Sequence, residues 1–164
     1  MKYLVVCSLF LLSTCFAQDT QKDTQKHGNG SKEAVQESME VNQHNAVGAM
    51  RTLNVATSSY YVTYAVYPAT LSAMSEPPGD SKDYNKDHAG LLTKQLGCAN
   101  EPCTFHNYLF SCKKTDAGYV ITARPKKYGV DGRLSLYSDE SAVVRATLED
   151  REATEKDKPV GTGQ

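Results

Sequence analysis

Any chemistry in this chain has to come from one short, cysteine-bearing stretch. Cys98, Cys103 and Cys112 follow closely on one another, with His106 between the last two and Lys113 and Lys114 directly after them. A cysteine attacks as the thiolate, and a neighbouring imidazole or ammonium group lowers its pKa toward that state. Cys112 is therefore the candidate for a cysteine-dependent redox or hydrolytic centre. The competing expectation is structural. Three cysteines in an oxidising compartment give one disulfide and one leftover thiol. Asn100-Glu101-Pro102 can turn the chain back between Cys98 and Cys103, which favours that pair; Cys98–Cys112 is the alternative. Cys112 is then a half-buried bystander beside two solvated lysines. Ser111 and Ser141 lack the glycine pattern of a nucleophile elbow, so no catalytic residue is assigned.

Metal chemistry has little to work with. His27, His44, His88 and His106 are scattered without ligand spacing. Asp83-Tyr84-Asn85-Lys86-Asp87 places oxygens at alternate positions, as a calcium loop begins, and Asp80 lies just before it. His88 stands where such a loop needs glycine, and Lys94 where it needs glutamate. The expectation is an ordinary solvated loop and no cofactor. Asp80, Asp83, Asn85 and Asp87 remain the residues that a weak calcium site, and with it a calcium-stabilised binding module, would use.

Compartment is read from the N-terminus. Lys2 precedes an apolar run from Leu4 to Leu12, and Cys15-Phe16-Ala17 offers small residues at a cleavage point before polar Gln18 and Asp19. This is the pattern of a secretory signal peptide over 1–17. Leu12-Ser13-Thr14-Cys15 also resembles a lipobox, which would make Cys15 a lipid anchor. The expected location is exported: periplasmic or extracellular, or membrane-tethered as a lipoprotein. About 150 residues remain, enough for one domain with a core. A formal charge of −1 supplies no field for nucleic acid, and no later apolar run is long enough for a transmembrane segment.

Residues 18–32 carry almost nothing apolar and read as a disordered polar leader. From about residue 33 to 66, apolar side chains recur every three or four positions: Val35, Met39, Ala46, Ala49, Met50, Leu53, Ala56, Tyr60, Tyr64 and Tyr67. That spacing predicts one long helix, ended by Pro68, although Thr57 to Tyr64 has strand-like composition. Ala69–Met74 and His88–Leu96 read as short helical pieces. The period then changes to two, predicting strands over 108–111, 118–124, 133–137 and 142–146. Residues 148–164 read as a solvated, disordered tail. The fold class is α+β: a long helix packed on a small antiparallel sheet of three to four strands, forming a domain over 33–147.

Tyr60, Tyr64 and Tyr67 share the core-facing stripe, whereas Tyr61 lies off it and is free for a partner contact. A small sheet leaves the first half of the helix projecting. Its stripe, with Val35, Met39 and Met50, then needs a protein partner or a second copy of the chain. Val35, Met39, Met50 and Tyr61 are the expected interface.

This order of elements resembles the type IV pilins and type II secretion pseudopilins. Within that group it is most similar to pilin-like proteins common in acidobacterial proteomes. The residues that carry the resemblance are Asn45 to Asn54, Tyr64, Tyr67-Pro68, His88 to Leu92, Gly118 to Ala123 and Leu136 to Arg145. The resemblance implies a non-enzymatic envelope protein. A polymerising pilin keeps an apolar N-terminal helix with a glutamate at its fifth position, and here a polar leader stands in its place. The expectation is therefore a pilin-like binding protein that uses the projecting helix, with a true pilin or pseudopilin subunit as the alternative. Mass spectrometry of the protein from membranes and culture fluid should find Gln18 at its N-terminus. An acylated Cys15 would move it to the lipoprotein class, and an intact Met1–Ala17 segment would overturn export by cleavage.

Overall fold

The computed structural model describes residues 26–161, with side chains from Ser31 onward. The expected signal peptide, Cys15 and leader residues 18–25 lie outside the described residues. The architecture is α+β. Helix α1 (Lys26–Tyr64) is followed by one 3-10 turn (Ser72–Met74) and six strands. These are β1 (Cys103–Phe105), β2 (Tyr108–Lys114), β3 (Tyr119–Pro125), β4 (Ser135–Asp139), β5 (Arg145–Thr147) and β6 (Lys158–Pro159). They form one antiparallel sheet in chain order, each strand pairing with its predecessor.

Helix α1 is set by its buried row. Met39, Ala46, Ala49, Met50, Leu53, Ala56, Thr57 and Tyr60 are all buried, at the three- and four-residue steps of one helix face. Burial of that row overrides the strand-like composition of 57–64. The helix spans ~58 Å at 1.5 Å per residue, and it stops at Tyr64, where Ala65 takes a left-handed φ of 57°. It begins at Lys26, so 26–32, expected as disordered leader, is helical.

Polar side chains on α1 lock it to loops around β4. Asn42 donates to the Asp131 carbonyl (3.0 Å), and Gln43 accepts from the Arg133 N–H (2.8 Å). Buried Asn54 donates to the Ala142 carbonyl (2.9 Å) and accepts from the Tyr119 hydroxyl (3.2 Å). The helix is thus covered as far down as Met39, and every side chain over 31–38 is exposed. This corrects the expected interface: Met39 and Met50 belong to the chain's own core.

Facing α1, the sheet buries Tyr108, Phe110 and Cys112 from β2, Tyr119, Ile121 and Ala123 from β3, and Leu136 and Ser138 from β4. The sheet has six strands where three to four were expected, the additions being the short edge strands β1 and β6. The strand expected over 142–146 begins only at Arg145, because Asp139 to Ala142 is a turn: the Asp139 carboxylate accepts from the Ser141 N–H (3.0 Å), and Ala142 has φ 56°. His88–Leu96 is not a helix. Gly90 has φ 69°, and the N–H groups of Ala89, Gly90, Leu91 and Leu92 donate to carbonyls of Ala73, Ser75 and Met74 instead of to their own turn.

The C-terminal stretch differs most from expectation. Far from being a loose tail, 148–161 lies against the sheet's outer face. Ala153 is buried, Arg124 pairs with Asp150 at 2.7 Å, and Tyr137, alternating outward from Leu136, is buried near Glu155. Asp157 organises the stretch. It accepts from two Arg151 guanidinium nitrogens (2.6 and 2.9 Å) and from the Thr154 N–H (2.7 Å). These bonds, Arg151 foremost, hold the Asp157 carboxyl well below the usual carboxylate range. A depressed folded pKa stabilises the fold above the unfolded value, and that contribution disappears as pH falls through the folded value. The Asp157 contacts should therefore persist below pH 4. Amide exchange of 148–161 should speed up in Asp157→Asn at pH 7 while β2–β4 stay protected; equal protection in both proteins would refute this anchoring role.

Candidate binding face

Cys98 and Cys103 meet the geometry of a disulfide, with Sγ atoms 2.11 Å and Cα atoms 5.5 Å apart. Cys112 is free and buried. Burial first, then the Glu101 carboxylate, push its thiol up to about 12. The groups expected to activate it do not converge on it. His106 sits on the exposed turn between β1 and β2, its ring packed edge-on to Phe105 at 4.3 Å, and Lys113 and Lys114 are exposed. At neutral pH Cys112 is thus a protonated thiol facing the core, without an imidazole partner in place.

Several oxygens of the 80–87 loop bond locally, while Asp80 and Asp87 are exposed. Ser81 donates to the Asp83 carboxylate (3.1 Å), Asn85 donates to the Asp83 carbonyl (3.0 Å), and the Asn85 side-chain oxygen accepts from the Asp87 N–H (2.8 Å). Among the described residues, no group of three or more His, Cys, Asp and Glu is placed to hold a metal ion.

What the fold does assemble is a groove. One flank of α1 supplies His44, Asn45, Gly48 and Thr52; the opposite side is Leu96, Phe105 and His106. The space is about 320 Å³, near the lower end for ligand pockets, and open to solvent. Ala49, Leu96 and Phe105 make its floor apolar, while two imidazoles, an amide and a hydroxyl stand at its rim. Gly48 leaves the helix wall bare, since a Cβ there would meet nothing within 4 Å.

The same helix flank continues as an exposed apolar row. Val41 (53 % exposed), Val55 (68 %) and Val62 (84 %) repeat at seven-residue steps, with Gly48 as the fourth member. Seven residues are close to two helical turns, so the row runs along one side, away from the buried stripe. Tyr61 is also exposed, stacked on Tyr67 at 4.5 Å, and Val35 is exposed near the start of the helix. Of the expected interface residues, Val35 and Tyr61 are therefore at the surface. Val41, Val55, Val62 and the groove were not anticipated: the seven-residue valine repeat was there to be seen, whereas the groove depends on two segments more than forty residues apart meeting.

Comparison with known proteins finds no match for this chain among family models, curated proteins or solved structures.

With its pKa raised, Cys112 should react with iodoacetamide only slowly between pH 7 and 9 in the folded protein, and quickly once denatured. Peptide mapping without reductant should recover Cys98 joined to Cys103. Fast alkylation of the native thiol would restore the cysteine-enzyme reading.

Proposed function

We propose that this protein is a non-enzymatic, pilin-like envelope or secreted protein that binds another protein, or a second copy of itself, along helix α1. One observation carries the reading: Gly48 belongs both to the apolar-floored groove and to the exposed row Val41–Val55–Val62, so groove and row lie on a single helix flank. Exposed apolar side chains aligned over several turns are the usual mark of an interaction face. Two further features favour binding over catalysis: the neutral, buried Cys112 and the attachment of α1 to the sheet side through Asn42, Gln43 and Asn54. The pilin-like assignment rests on the resemblance of the sequence and on the order of one long helix before an antiparallel sheet. Among the described residues no helix is long and apolar enough to cross a membrane.

The test places a photo-crosslinking amino acid at Val55, in cells and in purified protein, and compares the products with those of Val62→Glu carrying the same probe. A discrete adduct is expected, falling at least about tenfold in the glutamate variant, which should melt within about 0.5 kcal/mol of the parent because Val62 is exposed. Adducts formed by the purified protein alone identify self-association, and adducts formed only in cells identify another protein. No adduct at Val55 or at His44 in either setting would overturn the reading.

A further inference from the structure

The disulfide borders the groove on the side opposite α1. Leu96 lies two residues before Cys98 and Phe105 two residues after Cys103, so the bond ties together the two stretches that form the groove's apolar floor. Between the cysteines sits Glu101. Its carboxylate accepts from the Leu71 N–H and from the Cys112 N–H, both at 2.6 Å. Strand register explains the second bond. Cys103 pairs with Phe110, so continuing β1 backward would set Glu101 opposite Cys112. β1 stops at Cys103, and the Glu101 side chain supplies an acceptor for the Cys112 N–H in place of a backbone carbonyl. One six-residue loop thus fixes the end of β2, the segment leading into the 3-10 turn, and the floor of the groove. Of its two sulfurs, Cys98 is half-buried and Cys103 is almost fully buried, which leaves Cys98 as the point of attack.

We propose that Cys98–Cys103 is a redox-operated latch that sets the shape of the groove beside α1. A dithiol reductant is the co-reactant. Its thiolate attacks Cys98 Sγ, the S–S bond breaks, and Cys103 leaves as a thiolate that takes up a proton. The reductant's second thiol then attacks the mixed disulfide, releasing Cys98 and leaving the reductant as a cyclic disulfide. With the ring open, Asn100-Glu101-Pro102 gains conformational freedom, Glu101 withdraws from Leu71 and Cys112, and Leu96 and Phe105 lose their fixed separation. β3, β4 and α1 are anchored independently of this loop and keep their structure.

The regulatory meaning rests on the binding role proposed above, but the latch has its own readout. Amide exchange of the purified protein, oxidised and after dithiothreitol, should show protection at Leu71 and Cys112 falling at least about tenfold. Ile121 and Leu136 should stay unchanged, and both thiols should become alkylatable. Cys98→Ser/Cys103→Ser should show the loss without reductant, and Glu101→Gln should show part of it with the disulfide intact. A photo-crosslinker at His44 should then lose its adduct in the reduced protein. Unchanged protection at Leu71 and Cys112 in a protein whose two thiols are demonstrably free would overturn the latch, as would loss of protection throughout β3 and β4. Local opening without any Val55 or His44 adduct in either state would sink the binding role and leave the latch standing.

Discussion

The buried row from Met39 to Tyr60 is the constraint from which the other arrangements follow. Strands of two to seven residues cannot hold a sheet together by themselves, and a helix of about 58 Å is not stabilised by propensity alone. Each supplies what the other lacks: the helix brings Ala46, Met50, Leu53 and Tyr60, and β2–β4 bring Phe110, Ile121 and Leu136. Because β4 is buried on both faces, that pairing also requires something on the far side. The C-terminal stretch provides it, held by Arg151 and Asp157 against an outer face that includes Tyr137.

Hydrophobic period made the main frame legible. The three- and four-residue spacing along α1 and the alternation in β2, β3 and β4 both come from apolar side chains facing one core, which is the signal a pattern carries. What escaped was held by other means. β1 is three residues that start at the second cysteine of the loop, and β6 is two residues, one of them proline, so neither has room for a period. Residues 148–157 looked solvated because charged pairs organise them, and a charged run reads the same whether it is paired or free. His88–Leu96 had helical spacing in Leu92 and Leu96, yet its amides find acceptors in the Ala73–Ser75 segment, a long-range choice invisible in local order.

Met39 and Met50 show how an error in sheet size propagates into an error in function. With three or four strands expected, the first half of α1 had nothing to cover it, and its stripe looked like an interface. Asn42 and Gln43 reach the loop between β3 and β4 instead, drawing that loop up under the helix. The surface available to a partner therefore moves around the helix by nearly half a turn, from the methionine stripe to the Val41–Val62 flank.

That shift changes the chemistry of the contact as well as its position. The methionine stripe would have been flexible and apolar throughout. The exposed flank carries short, β-branched or bare positions (valine, threonine, glycine) interspersed with polar ones such as Arg51 and Ser58. Valine has one strongly preferred rotamer in a helix and so loses little side-chain entropy when a surface packs on it. A face of that kind presents a shape fixed in advance, and its one adjustable side is the hairpin side, where Leu96 and Phe105 are tied through a bond that can be made and broken. In the proposed binding role, the helix row of Val41, Val55 and Val62 would supply a rigid contact beside the groove, and the Cys98–Cys103 loop its conditional side.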